Sequence, residues 1–340
     1  MIRQNRIPLD CPAEWKGALG GIKHAFGHTW ESCFAMQLTT GFKTYLYCFE
    51  AERVRIICPI AERNLEQHID VVTPYGFSGF VGNGDVAEFP SHWKTFAKKK
   101  RYVCGFIGLN PLFDNRNYYD TGELYEYNAV YALDLTLPES ELLANLSENR
   151  KRQLKNWDHF CANLVFDKSL LKQFLLAHFV DFFRRKNASA TYNLSSETLS
   201  FLIDLENVFA VGIASAGRVE AVSVFAYTPH VGEYLFNVSI PGKQDYSAAL
   251  LWYGIKHLKS LAVPFINLGG GVRKGDGIAK FKERFGGISL PLNCLKQVYD
   301  AEIFADLCER VNANPTERSG YFPPYRCVSS SLDTISTSSS

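Results

Sequence analysis

The sequence predicts a mixed α/β protein of the α+β type, organised in about two domains. The chain has 340 residues, and domains commonly hold about 150 residues. Hydrophobic residues make up 46% and aromatic residues 14% of the chain, which is typical of a globular protein with a sizeable core. Runs of β-branched and aromatic residues alternate with longer helical segments, which indicates that helices and strands share each domain.

The first part of the chain is rich in predicted strands. Residues 43–50 (KTYLYCFE) and 53–60 (RVRIICPI) are separated by two residues and predict a hairpin. Residues 91–101 predict a helix that ends in a basic run, which suits the negative end of a helix dipole. Strands are predicted at 102–109 and 124–135.

The second part reads as helices, an antiparallel meander, a helix and a strand. Ser147 is the predicted N-cap of the helix at 147–157, and the helix at 170–186 is predicted to be buried over most of its surface. The helices are predicted at residues 138–145, 147–157, 170–186, 196–205 and 247–261. The strands are predicted at residues 162–166, 209–214, 219–227, 233–239 and 265–268.

Charge and cysteine content exclude several classes of protein. Lys and Arg total 36 and Asp and Glu total 35, so a DNA-coating protein is excluded, although a local basic groove for tRNA is not. No apolar run is long enough to span a membrane and no apolar signal core begins the chain, which predicts a cytoplasmic protein. The nine cysteines form no CxxC pair, so we expect buried, reduced thiols and no metal site.

The segment 268–287 (LGGGVRKGDGIAKFKERFGG) carries the strongest chemical signal. Its glycines follow a predicted strand and permit close approach of the backbone to a ligand, and Asp276 is placed to cap a helix that opens at Gly277. A glycine turn, a helix start and several cations together suit a phosphate or a developing oxyanion. A tight turn before a solvated amphipathic helix explains the same residues equally well. The cations of this segment are Arg273, Lys274, Lys280, Lys282 and Arg284.

A second segment, 71–80 (VVTPYGFSGF), places large aromatic residues among residues that break regular structure. Aromatic side chains on a loop often line a pocket. A loop packed over the core is an equally good interpretation.

These segments, taken in order, resemble the FemABX-like branch of the GNAT acyltransferase superfamily over residues 40 to 290. That branch commonly has a TPYGY-type loop, a basic helix that begins the second half, and a glycine-rich strand end followed by D-G, F-K and F-G pairs. The matching positions here are Thr73 to Phe77, Leu146, Ser147, Arg150, Leu154, Gly269 to Gly271, Asp276, Gly277, Phe281, Lys282, Phe285 and Gly286.

The resemblance implies two side-by-side GNAT-like lobes with a ligand cleft between them. On this basis the predicted divisions are 1–145 and 146–300 for the lobes, 301–328 for a C-terminal helix and extension, and 329–340 for a disordered Ser-rich tail. A GNAT lobe often holds coenzyme A on a Q/R-x-x-G-x-G/A turn. Residues 244–249 match that turn at Gln244 and Ala249, but Ser247 replaces the usual glycine, and its Cβ disfavours a tight nest of amides.

The resemblance also implies an activity, which is transfer of an acyl or aminoacyl group to an amine. The donor would be aminoacyl-tRNA or acyl-CoA, with no tightly bound cofactor. The acceptor would be a small-molecule or lipid-linked precursor of the cell envelope or of a polysaccharide, and a lipid-linked acceptor would bring the protein to the inner face of the membrane. Two alternatives stay open: an acetyl-CoA-dependent N-acetyltransferase acting on an amino sugar or nucleotide-linked sugar, and a catalytically inactive binding protein of the same fold.

The resemblance assigns roles to particular residues. Lys282 would be the catalytic cation that stabilises the oxyanion. The general base stays open among His230, Glu233, Asp276 and direct proton loss to water. The predicted substrate-binding residues are Tyr75, Gly76, Arg150, Arg152 and Phe281. The predicted phosphate- or cofactor-binding residues are Gln244, Ser247, Gly270, Gly271 and Lys274.

Overall fold

The fold is built on one mixed β-sheet flanked by helices, seen in a computed structural model that describes residues 2–155, 157–186 and 194–327. This confirms the predicted α/β class. The strands are β1 Ile2–Pro8, β2 Lys43–Ala51, β3 Val54–Leu65, β4 His68–Val72, β5 Val81–Gly82, β6 Tyr102–Gly108, β7 Leu124–Asp134, β8 Leu164–Val165, β9 Val208–Ser215, β10 Arg218–Tyr227, β11 Gly232–Ser239, β12 Phe265–Asn267 and β13 Ile288–Val298.

The helices cover both faces of this sheet and connect its strands. They are α1 Pro12–Leu19, α2 Trp30–Thr40, α3 Phe89–Lys99, α4 Glu139–Asn145, α5 Glu148–Gln153, α6 Trp157–Ala162, α7 Lys168–Arg185, α8 Ser196–Asp204, α9 Tyr246–Ser260, α10 Gly277–Glu283 and α11 Ala301–Glu309. None of the helices within the described residues has the length and apolar character needed to cross a membrane.

The chain passes through the same succession of elements twice. Each pass has a strand, two helices, an antiparallel meander, a helix, a strand parallel to the last meander strand, and a final strand. In the first pass these are β1, α1–α2, β2–β4, α3, β6 and β7. In the second they are β8, α7–α8, β9–β11, α9, β12 and β13. The parallel pairs are β4 with β6 and β11 with β12. The final strands are exchanged, because β7 pairs with β12 of the second pass and β13 pairs with β6 of the first.

The exchange makes the sheet continuous through the molecule. Its strand order is β1-β2-β3-β4-β6-β13-β7-β12-β11-β10-β9-β8, and β5 pairs with β3 beside this path. Strand β13 belongs to the segment 146–300 but lies between β6 and β7. The domain boundaries drawn from the sequence stay a prediction. The predicted tail at 329–340 lies outside the described residues.

Local sequence signals explain several elements. The predicted hairpin is present, with β2 and β3 in antiparallel register from Lys43↔Glu62 to Ala51↔Val54. Asp276 caps α10 by accepting a hydrogen bond from the Ala279 N–H at 2.8 Å. Ser147 caps α5 in the same way, but the predicted helix 147–157 is wrong in extent, because α5 ends at Gln153 and α6 begins at Trp157.

The core contains separate buried clusters in the two halves of the sheet. In the first half, Trp93 of α3 packs among Tyr47, Phe80, Phe89 and Phe96. In the second half, the buried face of α9 packs on the meander β9–β11.

Two burial expectations are corrected. Helix α7 was expected to be buried on most of its surface, but Leu170, Leu176 and Val180 are exposed, and only one stripe of the helix faces the sheet. Cys161 and Cys327 are exposed and Cys11 is half-buried, whereas the other six cysteines are buried.

Candidate functional site

A cavity of about 670 Å³ lies where the second parallel strand pair diverges. Strands β11 and β12 pair only at Gly232↔Ile266 and Glu233↔Asn267. Beyond these rungs the two strands separate, and residues 234–236 on one side and 270–272 on the other line the cavity. The loop 73–77, which follows β4 of the first half, lines it from the facing side.

The wall of this cavity is mainly apolar and aromatic. Among the described residues that line it, Arg63 and Glu233 are the only side chains of basic or acidic type. A concave, mostly apolar site with a few polar groups is typical of a pocket for an organic ligand.

Glu233 is the carboxyl group at the point where the strands diverge. Its side chain is almost fully buried, and Oε1 has no hydrogen-bond partner among the described residues. Burial raises the pKa of Glu233 to about 8, against the opposing effect of the backbone N–H groups of Phe26 and Gly27. Glu233 therefore holds a proton at neutral pH and titrates close to it.

Asn267 lies beside Glu233 on the neighbouring strand. Its Oδ1 accepts a hydrogen bond from the Gly269 N–H at 2.7 Å, while its Nδ2 has no partner among the described residues. Both unpartnered atoms are buried on neighbouring strands, and of the two residues Glu233 lines the cavity.

Lys282 lies against the glycine turn that forms part of the wall. Its Nζ donates to the Gly270 carbonyl oxygen at 2.6 Å. Burial lowers the pKa of Lys282 to about 7, and the nearby Asp276 carboxylate opposes this shift. Both Lys282 and the aromatic loop lie close to Gly269 of the glycine turn. A Cβ added at Gly269 would lie 3.0 Å from Lys282 Nζ and 3.6 Å from the ring of Phe77.

The glycine turn needs its glycines for packing. A Cβ on Gly270 would lie 2.3 Å from the carbonyl oxygen of Ala129, and Gly269 has a φ of +71°. Asn128 of β7 holds the turn by donating from Nδ2 to the Gly271 carbonyl oxygen at 2.9 Å. The turn is therefore tight, as one interpretation of the sequence required, and Gly270 and Gly271 also line the cavity.

The structure brings the aromatic loop to the same cavity. Tyr75 and Gly76, the predicted substrate-binding residues of this loop, both line it, and 41% of the Tyr75 surface is exposed. Their neighbour Phe77 lines it as well.

Arg150 and Phe281 form a clamp between α5 and α10 outside the cavity lining. Arg150 is buried, and its guanidinium carbon lies 4.1 Å from the centre of the Phe281 ring and 5.1 Å from that of Phe285. Nη2 donates to the Phe281 carbonyl oxygen at 3.3 Å. Burial, with a contribution from Arg284, lowers the pKa of Arg150 to about 10. The clamp fixes the helix that carries Lys282.

The remaining predicted binding residues do not line the cavity. Arg152 is exposed and hydrogen bonds to Asn149. Lys274 is exposed and pairs with Glu126 at 2.6 Å. Gln244 is exposed before α9, and the Ser247 hydroxyl donates to Asn237 Oδ1 at 2.9 Å.

The three candidate bases are separated by the fold. His230 lies beside His24, at a ring-centre distance of 5.3 Å, in a second and smaller pocket. Asp276 is engaged as the cap of α10. Of the three, Glu233 lines the large cavity. Arg63 was not identified from the sequence, since it lies beyond the predicted end of its strand.

No family model matches the chain, and no curated relative matches it. Several solved structures match the chain in fold. FemX is 8% identical with a TM-score of 0.67, over 89% of this chain and 99% of that chain. A conserved protein of unknown function from Bacteroides thetaiotaomicron is 10% identical with a TM-score of 0.59, over 88% and 100%. L-PGS from Bacillus licheniformis is 13% identical with a TM-score of 0.55, over 85% and 92%.

At these identities the likeness concerns the fold. It confirms the two GNAT-like lobes that the resemblance implied. The chain therefore has the fold seen in FemX and in L-PGS.

Proposed function

We propose that this protein is an acyl- or aminoacyltransferase that forms an amide at the cavity between β11 and β12. The observation that carries the proposal is that Glu233 lines the cavity and that Lys282, which is not among the lining residues, binds the carbonyl oxygen of Gly270 in its wall; both groups have perturbed pKa values. Glu233 pairs with Asn267, and Lys282 contacts the turn three residues further on. Buried groups with strongly shifted pKa values in a cleft are characteristic of catalytic sites.

In the proposed reaction, the acceptor amine attacks the carbonyl carbon of the acyl donor. The new C–N bond converts the carbonyl into a tetrahedral oxyanion, which the protonated Lys282 stabilises electrostatically. Ionised Glu233 takes the proton that the amine releases, and a pKa near the working pH suits a general base. Collapse of the intermediate breaks the C–O bond of an aminoacyl ester or the C–S bond of an acyl thioester, and the leaving group takes up the proton.

The surroundings support this chemistry. The apolar wall excludes water, which strengthens the interaction between the oxyanion and the ammonium group. Tyr75 and Gly76 are the proposed acceptor contacts, and Arg150 and Phe281 position α10. Arg152, Gln244, Ser247 and Lys274 lie outside the cavity and are proposed to contact the phosphates of the donor.

The proposed donor is aminoacyl-tRNA or acyl-CoA, and the proposed acceptor is an amine of a cell-envelope or polysaccharide precursor. The sequence resemblance and the shared fold with FemX and L-PGS support these classes. We propose that the protein acts in the cytoplasm, at the inner face of the membrane where the acceptor is lipid-linked.

Donor binding tests the proposal first. The purified protein is heated with coenzyme A, acetyl-CoA or uncharged tRNA, and the melting temperature is compared with that of the free protein. A ligand at a hundred times its Kd stabilises by about 2.7 kcal/mol, which is readily measured. A shift with tRNA alone indicates aminoacyl transfer, and a shift with coenzyme A compounds indicates the N-acetyltransferase alternative.

Transfer is then measured with Lys282→Met and with Lys280→Met as a matched control. Lys280 is exposed on the same helix, so its replacement is expected to leave transfer unchanged. We expect Lys282→Met to abolish amide formation while the protein stays folded. Full activity in Lys282→Met would remove this lysine from the mechanism, and donor affinity without transfer by the wild type would favour a binding protein.

A further inference from the structure

A buried ion cluster lies at the first-half side of the cavity. Asp70 of β4 is almost fully buried and accepts hydrogen bonds from two arginines. Arg63 donates from Nε to Oδ1 at 2.6 Å, and Arg326 donates from Nε to Oδ2 at 2.6 Å. Tyr325 also donates to Oδ2, at 3.2 Å. The cluster joins the sheet to the segment that follows α11.

The charges of this cluster do not cancel. Two guanidinium groups share one carboxylate, so the cluster keeps one positive charge among the described residues. Arg63 is the arginine of the cluster that lines the cavity, and only 8% of its surface is exposed. Its Nη2 has no hydrogen-bond partner among the described residues, while Nη1 reaches the hydroxyl of Tyr321, another lining residue, at 3.4 Å.

A buried cation with an unused donor is costly unless an anion completes it. The described lining residues offer no such anion, because the one acidic side chain among them, Glu233, is held protonated at neutral pH. An anionic group of the substrate would supply the missing charge and the missing acceptor together.

We propose that Arg63 is the residue that selects the acceptor by binding a carboxylate. The acceptor would then be an amine with a carboxylate at the far end of an apolar body. The apolar wall would contact that body, and the amine would lie at the Glu233 end. The assignment of the amine end rests on the proposed function, whereas recognition of the carboxylate rests on the Arg63 cluster alone.

The same observations favour a carboxylate over a phosphate. The cluster has one excess positive charge, which matches a carboxylate monoanion, whereas a phosphate monoester carries −1.5 to −2 at neutral pH. A guanidinium group also matches the planar carboxylate. The apolar lining provides few donors for the further oxygens of a phosphate.

Binding of small probes to the full chain tests this without turnover. The probes are ω-amino acids from 4-aminobutanoate to 8-aminooctanoate, the matching ω-amino amides, and 6-aminohexyl phosphate, with Kd measured by calorimetry. We expect at least one acid to bind about tenfold or more tightly than its amide, as a charge-assisted hydrogen bond allows, and more tightly than the phosphate. Equal binding of acid and amide, no binding of any acid, or tighter binding of the phosphate would overturn the proposal.

Variants then assign the preference to Arg63. Arg63→Lys keeps a positive charge beside Asp70 but removes Nη2, so the preference for acid over amide is expected to fall about tenfold. Arg53→Lys changes an exposed arginine just before the same strand and is expected to keep the preference. A full preference in folded Arg63→Lys would contradict the assignment. Should that variant not fold, the acid and amide comparison in the wild type still decides.

The binding experiment and the transferase assay can fail independently of each other. A carboxylate preference without amide formation would leave recognition by Arg63 in place and reject the transferase. Amide formation without any carboxylate preference would reject only the role of Arg63.

Discussion

Replacing Glu233 with Gln makes the state of the buried carboxyl measurable as stability. Burial raises the pKa of Glu233 from 4.5 to about 8. The folded protein therefore keeps a proton that the unfolded chain releases above pH 4.5. The contribution of Glu233 to the free energy of unfolding is fully present below pH 4.5, and it is lost as the pH rises to about 8. Glutamine resembles the protonated acid and does not titrate, so this loss disappears in the variant.

The size of the effect follows from the two pKa values. One pKa unit corresponds to about 1.36 kcal/mol, so the wild type should lose about 2–3 kcal/mol of unfolding free energy from Glu233 between pH 5 and pH 7. Most of the effect of Lys282 lies above this window. Its lowered pKa acts with the opposite sign, since the unfolding free energy rises between about pH 7 and pH 10.5. Groups common to both proteins cancel in the comparison.

The assay is urea unfolding of the wild type and Glu233→Gln at pH 5 and pH 7. We expect similar stability at pH 5 and a clear advantage for the variant at pH 7. Glu302→Gln, an exposed glutamate on α11, serves as the control and should follow the wild type at both values. Parallel behaviour of wild type and Glu233→Gln would show that the carboxyl is ionised in the folded protein at neutral pH and would refute the reasoning.

Three further predictions concern the turn, the clamp and the lysine. Gly270→Ala places a Cβ 2.3 Å from the Ala129 carbonyl oxygen, so it should cost about 1–3 kcal/mol in denaturant unfolding; an unchanged midpoint would show that the turn yields freely. Arg150→Lys loses the planar stack on Phe281 and should lower stability by about 1–2 kcal/mol, whereas the exposed control Arg152→Lys should change it by less than about 0.5 kcal/mol. Equal melting temperatures for these two variants would contradict the clamp. The mechanism needs charged Lys282, with a pKa of about 7, and ionised Glu233, with a pKa of about 8, so the transfer rate should level off between these values and fall above about pH 8. Lys282→Arg, which stays charged, should lose that alkaline limb; a limb that persists in Lys282→Arg would assign it to another group.

Much of the second half was predictable because its signals are local. The meander β9–β11 consists of runs of β-branched and aromatic residues separated by short turns. The cap at Asp276 depends only on residues of its own helix. Strand β4 (HIDVV) was missed, since it is only five residues long and runs into the segment 71–80 that was interpreted as a loop, and the end of β3 was missed because AERNL follows its apolar run.

The exchange of the final strands was beyond the reach of the sequence. Strand β13 pairs with β6 and β7, which are far away in the chain. Long-range pairing of this kind is set by the assembled sheet and leaves no local pattern.

The candidate site shows the same division. The glycine turn and the loop at Tyr75 carry recognisable motifs, and both line the cavity. Glu233 was one of three candidates in the sequence, and the pairing with Asn267 distinguishes it. The role proposed for Arg63 depends on its neighbours Asp70 and Arg326, and Arg326 is distant from Arg63 in the sequence. Arg150 was a predicted substrate-binding residue, but the structure buries it against Phe281 outside the cavity lining.

The transfer reaction itself tests the central claim most directly. Purified protein is supplied with labelled aminoacyl-tRNA or labelled acetyl-CoA and with the ω-amino acid that binds most tightly. The label recovered in amide linkage is then counted for the wild type, Lys282→Met and Lys280→Met. The account predicts an amide product with one donor, its loss in folded Lys282→Met and its retention in Lys280→Met. Equal product from wild type and Lys282→Met, or no amide product from either donor, would contradict the account.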